Sequence, residues 1–215
     1  MTTRLLLVRH GESTWNAVRR WQGRADPPLS RRGEQQAADA GRALAGLAAI
    51  DAVATSSLRR ARRTGELIAG ELGVGVLGAE AGLDERSAGA WEGLTRAEID
   101  HRYPGYLEED RRPEGYESDD ALLSRVLPAL QATAQRSERA GHRRVVVVSH
   151  GGVLGALERH AHGAATGARS PWVRFANLEG RWFTLEGGTV RMAGDRVRLV
   201  DEPDLAAEVP SPGYA

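Results

Sequence analysis

Cysteine is absent from the 215 residues of the chain. Its absence excludes disulfide bonds, thiolate zinc sites, iron–sulfur clusters and every mechanism that needs a cysteine nucleophile. Lysine is absent as well, so the 29 basic side chains are all arginine. The base composition of a genome is sufficient to explain that bias, and it carries no functional conclusion.

Long apolar runs and net charge are also missing. No stretch approaches the roughly 18 consecutive apolar residues that a membrane helix needs. The run at residues 5–8 is too short for a signal peptide and is followed at once by Arg9 and His10. The formal net charge is zero, so no overall field attracts nucleic acid or anionic lipid. We therefore expect a cytoplasmic protein without nucleic-acid or membrane partners, in which local arginines hold any anionic ligand.

The pattern of apolar residues predicts the fold class. With 215 residues, 41% of them hydrophobic, the chain is long enough for one sizeable core. Short apolar runs predict buried strands at residues 5–8, 51–55, 74–77 and 145–148. Helical patterns lie between these strands. The alternation predicts an α/β fold, a three-layer α/β/α sandwich with a mostly parallel central sheet.

Capping residues mark the predicted helix ends. Ser30 and Ser57 are predicted to cap two helices, and Gly73 to end the second. Thr95 and Glu98 form a capping box for a short helix. The remaining predictions are a helix over residues 119–136 kinked at Pro128, a helix opened by His150-Gly151-Gly152, and two or three strands over residues 172–200 with a hairpin near Gly187-Gly188.

Composition also divides the chain. Residues 1–200 are predicted to form one domain. Within it, residues 103–120 are polar and punctuated by proline and glycine, which is typical of a mobile lid insertion. Residues 201–215 carry three prolines and few apolar side chains, and we expect a flexible C-terminal tail.

Reactive side chains follow three of the predicted strands. Arg9 and His10 come after the first, residues 56–60 after the second, and His150 after the fourth. Because ligands of parallel α/β sheets bind at the carboxyl ends of the strands, these segments should meet in one crevice. An acidic pair, Asp84-Glu85, lies elsewhere in the sequence.

This set of residue types suits a phosphoryl group. Arginine offers a planar, permanently charged fork that matches phosphate oxygens, and glycines at a helix start let backbone amides approach. A neutral imidazole is a competent nucleophile near neutral pH. A carboxylic acid in a partly desolvated pocket can protonate a leaving alkoxide.

The order of these motifs resembles the histidine phosphatase superfamily, the group that includes phosphoglycerate mutase. The resemblance covers most of the chain. It rests on Arg9-His10-Gly11-Glu12 with Trp15-Asn16, Gln22-Gly23, Leu29-Ser30 with Gly33, Ser56-Ser57-Leu58-Arg59-Arg60-Ala61 with Thr64, Leu83-x-Glu85 with Gly89 and Trp91-Glu92-Gly93, and Ser149-His150-Gly151-Gly152. It implies a phosphoglycerate mutase-like fold and a small-molecule phosphoester substrate, with no metal and no cofactor.

The resemblance also implies a role for each matching residue. His10 corresponds to the nucleophile that becomes phosphorylated, and Arg9 and Arg60 to the arginines that grip the phosphoryl oxygens. His150 corresponds to the second histidine, which contacts the phosphate and stabilises charge, and Glu85 to the proton donor. The further binding residues that it implies are Asn16, Gln22, Gly23 and Gly151.

Several of these assignments have simpler alternatives. Arg60 belongs to the run Arg59, Arg60, Arg62 and Arg63, three of which should lie on a solvated helix face. Asp84 competes with Glu85 for the role of the acid. Four further histidines should lie on the surface, and two tryptophans are candidates to face the substrate: His101, His142, His160 and His162, and Trp15 and Trp21.

Three functions fit the motifs. Hydrolysis of a phosphomonoester is favoured, because the mutases of the family carry a longer insertion after the segment that matches Trp91-Glu92-Gly93. Here that stretch is compact, and Arg111 and Arg112 are the only cations near its acidic run Glu108-Glu109-Asp110. The alternatives are a cofactor-dependent phosphoglycerate mutase and a non-catalytic phosphate-binding pseudoenzyme, against which the complete set of reactive residues counts.

The lid bears on the substrate. Many relatives have Gly-Gly-Glu-Ser where this chain has Gly115-Tyr116-Glu117-Ser118, a change that should narrow the mouth of the pocket. The stretch at residues 94–100 and Asn177-Leu178 are similar to actinobacterial sugar-phosphoglycerate phosphatases. Dimers occur in the family, and no feature of the sequence decides between a monomer and a homodimer.

Overall fold

A six-stranded sheet forms the centre of the protein in the computed structural model, which describes residues 2–163, 174–186 and 188–201. The strands are β1 (Arg4–Arg9), β2 (Ala52–Ser56), β3 (Gly75–Glu80), β4 (Arg144–Ser149), β5 (Glu179–Glu186) and β6 (Thr189–Arg198). Their order across the sheet is β3-β2-β4-β1-β5-β6. The first four of these are mutually parallel, and β5 and β6 add an antiparallel edge. The prediction of a mostly parallel sheet is confirmed.

Helices cover both faces of the sheet. They are α1 (Thr14–Ala17), α2 (Arg31–Leu47), α3 (Arg59–Leu72), α4 (Arg96–Arg102), α5 (Asp119–Arg139) and α6 (Gly151–Ala161). Because side chains alternate along a strand, Leu5 and Leu7 of β1 pack with α5 and α6, whereas Leu6 and Val8 pack with α2 and α3. This arrangement gives the three layers that the sequence predicts.

Most predicted helix ends are confirmed. Ser30 accepts a hydrogen bond from the amide of Gly33 and caps α2, and Gly73 ends α3 in a left-handed conformation. Thr95 and Glu98 form the predicted capping box of α4. Helix α5 runs three residues beyond its predicted end, and Pro128, the position of the predicted kink, lies inside it.

The predicted cap of α3 is wrong. The N-cap position is occupied by Leu58, which makes no side-chain capping bond. The hydroxyl of Ser57 donates instead to the carboxylate of Asp84. A tertiary contact has therefore replaced the local one.

The predicted lid packs against a small aromatic core. Leu107 is buried there beside Trp91, and the tyrosines of the segment, Tyr103, Tyr106 and Tyr116, pack around the same cluster. The strands β5 and β6 form the predicted hairpin; Gly187 lies outside the described residues, and Gly188 has a positive φ of 83°. Of the predicted tail, residues 202–215 lie outside the described residues. No helix in the described ranges has the length and apolarity to cross a membrane.

Candidate active site

A pocket of about 260 Å³ opens at the carboxyl ends of β1, β2 and β4. All of the predicted site residues except His150 line it. They are Arg9, His10, Asn16, Gln22, Gly23, Arg60, Glu85 and Gly151, and the rest of the lining consists of Arg19, Arg20, Trp21, Arg86, Ala88, Tyr116 and Gly152. His150 is fully buried and lies one layer deeper, with its ring centroid 5.1 Å from that of His10.

The backbone around His10 is held from three sides. The amide of His10 donates to the carbonyl of Ser149 and so extends the β1–β4 ladder by one bond (3.0 Å). The side-chain amide of Asn177 donates to the carbonyl of His10 (2.7 Å). The next amide, that of Gly11, donates to the hydroxyl of Thr64 on α3 (3.1 Å). These bonds fix the nucleophile candidate at the edge of the sheet.

Hydrogen bonds define the tautomer of His10. The guanidinium of Arg60 can only donate, and its Nε lies 3.2 Å from Nε2 of His10. Nε2 must therefore carry the lone pair. The proton then resides on Nδ1, which donates to the carbonyl of Gly11 (2.7 Å). The ring nitrogen beside the cation Arg60 is thus the unprotonated one, as a nucleophile requires.

Burial keeps this imidazole neutral. Desolvation, with the nearby charges of Arg60 and Arg9, holds the pKa of His10 well below the usual 6.5 for histidine. The same causes, with His10 and Arg125, hold the pKa of His150 well below that value. Both rings are therefore uncharged at neutral pH, and the lone pair of His10 stays available.

Arg60 is a buried cation that loop carbonyls hold in place. Its terminal nitrogens donate to the carbonyls of Gly23 (2.9 Å) and Ala25 (2.7 Å). Burial is the main cause that lowers the pKa of Arg60 to about 10, so it remains charged at neutral pH. The predicted distinction within the arginine run is confirmed: Arg60 is 1% exposed, and its three neighbours in the run are exposed.

Backbone amides aim the carboxylate of Glu85 into the pocket. One oxygen accepts from the amide of Arg86 (2.8 Å) and the other from the amide of Gly152 at the start of α6 (3.0 Å). Asp84, its competitor in the sequence, lies outside the pocket lining and accepts hydrogen bonds from Ser56 and Ser57. The structure therefore gives the two acids different surroundings, and Glu85 is the one that can face a leaving group.

Two arginines support this acid, the buried Arg86 and the half-buried Arg125, and sequence reasoning missed both. Arg125 of α5 donates to the carbonyls of Gly82, Asp84 and Glu85. Arg86 lines the pocket at 6% exposure and pairs with Asp119, whereas its Nε is buried without a hydrogen-bond partner in the described residues. The adjacency of Arg86 to Glu85 was a usable signal, but the position of Arg125 in mid-helix offered none.

Comparison with known proteins decides the family. The profile of the histidine phosphatase superfamily (branch 1) matches residues 5–194. The chain belongs to the histidine phosphatase superfamily. It is 39% identical over 165 residues to a 2,3-bisphosphoglycerate-dependent phosphoglycerate mutase of Methylobacterium radiotolerans, covering 71% of this chain and 76% of that protein.

Phosphatases are also among the similar proteins. An uncharacterized phosphatase of Bacillus subtilis is 33% identical over 155 residues, covering 72% of this chain and 75% of that one. A mycobacterial glucosyl-3-phosphoglycerate phosphatase, solved with VO3, superposes with a TM-score of 0.74 at 30% identity, covering 89% of this chain and 96% of that one. Proteins named for either activity are therefore similar to this chain, at 30% to 39% identity.

The outer wall of the pocket is aromatic and cationic. Trp21 and Tyr116 line it, whereas Trp15 lies near Gly93 and does not. Arg111 and Arg112, the nearby cations expected from the sequence, lie on the rings of Tyr106 and of the Trp91 cluster, outside the lining. Besides Arg9 and Arg60, three arginines line the pocket: Arg19, Arg20 and Arg86.

The remaining histidines lie away from the site. His101, His160 and His162 are exposed, as predicted, but His142 is half-buried. Within the ranges that the structure describes, no group of three or more histidine and acidic side chains is arranged to hold a metal ion.

Proposed function

We propose that this protein is a metal-independent phosphomonoester hydrolase that acts on a small phosphorylated metabolite through a phosphohistidine at His10. The observation that carries the proposal is the lone pair on Nε2 of His10, held beside Arg60 at the edge of a pocket that also presents Arg9 and the carboxylate of Glu85. Family membership agrees with this chemistry.

In the first step, Nε2 of His10 attacks the phosphorus atom in line with the ester oxygen. The N–P bond forms as the P–O bond to the alcohol breaks. The guanidinium groups of Arg9 and Arg60 balance the charge on the phosphoryl oxygens. Glu85 acts as the general acid and gives a proton to the departing oxygen, so the product leaves as a neutral alcohol.

In the second step, water enters where the alcohol left. The Glu85 carboxylate takes a proton from this water as its oxygen attacks phosphorus. The N–P bond breaks and its electron pair returns to Nε2. The products are inorganic phosphate and the starting enzyme, with Glu85 again protonated for the next cycle.

A phosphate-release screen tests this proposal. The panel contains p-nitrophenyl phosphate, sugar phosphates, phosphoglycerates and glucosyl-3-phosphoglycerate, all assayed with EDTA. We expect release that persists in EDTA for wild type and is lost in His10→Ala. A folded His10→Ala variant with full activity would contradict the mechanism. If the wild type released no phosphate from any ester of the panel, a pseudoenzyme would be favoured.

Phosphoglycerate mutase activity is the second candidate, because a relative with that name is 39% identical to the chain. A mutase must return the phosphoryl group to a second hydroxyl and exclude water meanwhile. A coupled assay with 3-phosphoglycerate and 2,3-bisphosphoglycerate distinguishes the two reactions. Interconversion of 3- and 2-phosphoglycerate without net phosphate release would replace the hydrolase proposal.

The outer wall suggests which esters to test first. Trp21 and Tyr116 present aromatic surface, which packs against sugar rings, and Arg19, Arg20 and Arg86 supply cations for a second acidic group. The similarity to a glucosyl-3-phosphoglycerate phosphatase points in the same direction. Sugar phosphoglycerates therefore come first in the panel.

A further inference from the structure

The reaction described above makes no use of Asp84, a charged group near the site. Asp84 is adjacent to Glu85 in sequence but faces the end of β2. One of its oxygens, Oδ1, accepts from the hydroxyl of Ser56 and from the amide of Ser57, both at 2.8 Å. The hydroxyl of Ser57 bonds both carboxylate oxygens, at 2.9 and 2.8 Å.

Ser56 connects this carboxylate to the second histidine. Its Oγ lies 2.7 Å from Nε2 of His150, and both side chains are fully buried. A hydroxyl has one proton, and the carboxylate of Asp84 can only accept. The Ser56 proton therefore points to Asp84, and Ser56 must accept a proton from Nε2 of His150.

The other nitrogen of His150 has no such partner. Nδ1 is buried and makes no hydrogen bond within the described residues. With the proton on Nε2, Nδ1 of the neutral ring carries a lone pair. A lone pair would repel a phosphoryl oxygen, so a useful contact with substrate needs a second proton on this ring.

We propose that Asp84 is a positioning residue that acts through Ser56, fixing a proton on Nε2 of His150 and stabilising a second proton on Nδ1 when a dianionic phosphoryl group binds beside His10. His150 would then hold the phosphoryl group as an imidazolium. This inference rests on the proposed function, because it concerns the same anion site.

The surrounding charges explain why such support is needed. Desolvation, Arg60, His10, Arg9 and Arg125 all oppose a charge on His150 and keep its pKa low. A bound dianion favours the charged form of His150 and so offsets part of these effects. The Asp84 carboxylate, two hydrogen bonds away, favours the charged form as well. The extra proton comes from solvent on binding and returns to solvent when phosphate leaves.

Ser57 supplies a matched control. Its hydroxyl bonds the same carboxylate as that of Ser56 but is not hydrogen-bonded to His150. Ser57→Ala therefore removes a hydrogen bond from Asp84 without breaking the path to the histidine. Asp84→Asn keeps the shape and loses the charge, and Ser56→Ala keeps the charge and breaks the path.

Calorimetric titration with tungstate tests the inference without turnover. Tungstate is tetrahedral and stays dianionic around pH 7.5, so any proton taken up must go to the protein. Titrations in two buffers of different ionisation enthalpy measure that uptake. We expect uptake approaching one proton per bound tungstate for wild type and Ser57→Ala.

The variants Asp84→Asn and Ser56→Ala should take up fewer protons per bound tungstate. They should also bind tungstate about tenfold to a hundredfold more weakly, the range for groups that orient a primary ligand. The double variant should lose little more than either single one, because both act on one path. Circular dichroism checks the fold of each variant.

Unchanged uptake in both Asp84→Asn and Ser56→Ala would place the proton elsewhere, such as on His10, and would overturn the inference. An equal loss of proton uptake in Ser57→Ala would mean that Asp84 only supports the backbone and does not act through Ser56. Wild type that binds tungstate as expected but releases no phosphate from any ester would overturn the proposed function and leave the inference about His150 standing.

Discussion

At the scale of single residues, the two histidines at the strand ends differ in their surroundings. His10 lines the pocket with a defined tautomer, whereas His150 lies beneath it in contact with Ser56. The sequence motifs predict that both residues reach the same crevice, because both follow parallel strands. The depth of each ring depends on packing between segments that are distant in sequence, and no local sequence pattern predicts it.

Glu85→Gln is predicted to affect poor leaving groups most. One of the two backbone amides, Arg86 or Gly152, can still donate to the glutamine oxygen, but the glutamine side chain cannot give up a proton. For an alkyl phosphate we expect kcat/KM to fall about 10²- to 10⁴-fold, the usual contribution of general acid catalysis. For p-nitrophenyl phosphate the fall should be much smaller, because its leaving group needs little protonation.

The comparison uses kcat/KM because this ratio reports the first, bond-breaking step and not the later hydrolysis of the phosphohistidine. Asp100→Asn, on the outer helix α4, is the control for loss of a carboxylate away from the pocket. Equal losses for the two esters would exclude Glu85 as the acid.

At the scale of elements, close backbone approach ties helix α2 to the loop that follows His10. A β-carbon on Gly33 would lie 1.9 Å from the carbonyl oxygen of Glu12, whereas one on Gly46 of the same helix would meet nothing within 4 Å. The carboxylate of Glu12 also accepts from the hydroxyl of Ser30, the cap of this helix (2.6 Å). The helix start therefore supports the loop.

Alanine at these two glycines should act in opposite directions. Gly33→Ala should lower the free energy of unfolding by about 1–3 kcal/mol or more, the cost of overpacking, and lower kcat/KM by displacing the loop. Gly46→Ala should raise the free energy of unfolding by about 0.5–1 kcal/mol and leave kcat/KM unchanged. Thermal unfolding and steady-state kinetics measure both. Similar effects at the two positions would contradict the proposed contact between helix and loop.

Helix ends show where local signals succeed and fail. Ser30 and Thr95 cap their helices as the sequence predicts, and Ser30 does so while its hydroxyl donates to the carboxylate of Glu12. Ser57 has the same residue type and spacing, but Asp84 offers a charged acceptor that the local sequence does not contain. At Ser57 the prediction fails because Asp84, distant in sequence, accepts from both the hydroxyl and the backbone amide of the residue.

At the scale of the whole molecule, burial of neutral histidines ties stability to pH. The pKa values of His10 and His150 lie well below 6.5 in the folded state and return to about 6.5 on unfolding. Between the folded pKa values and about pH 6.5, the unfolded chain binds more protons. The free energy of unfolding should therefore fall as pH decreases below about 6.5, by up to about 1.4 kcal/mol per pH unit for each histidine.

Denaturant unfolding between pH 8 and pH 5 measures this slope. His10→Gln should reduce it, and His101→Gln, an exposed control, should not. At lower pH, Asp119 and Asp51 add a second loss, because their folded pKa values are lowered and their stabilisation disappears as they are protonated. A stability that is flat from pH 6.5 to pH 5 would contradict the buried neutral rings.

Architecture and site differ in how far the sequence predicts them. The parallel sheet, its two covered faces and the meeting of three strand ends follow from alternating patterns, and each is confirmed. The outer wall follows only in part: the sequence points to Trp21 and Tyr116 but not to Arg86, whose place in the lining depends on tertiary packing. This is the part of the pocket that we propose to select the substrate.

The proposed mechanism requires a phosphoryl group carried by Nε2 of His10. Acid-free quenching of the enzyme during turnover, followed by mass spectrometry of the digested chain, locates the modified residue, and phosphorus NMR of the quenched protein distinguishes the two ring positions. We expect transient phosphorylation of His10 at Nε2, since Nδ1 donates to the carbonyl of Gly11. We also expect a longer-lived adduct in Glu85→Gln and none in His10→Ala. Steady phosphate release without any adduct on His10, or an adduct on another residue, would contradict it.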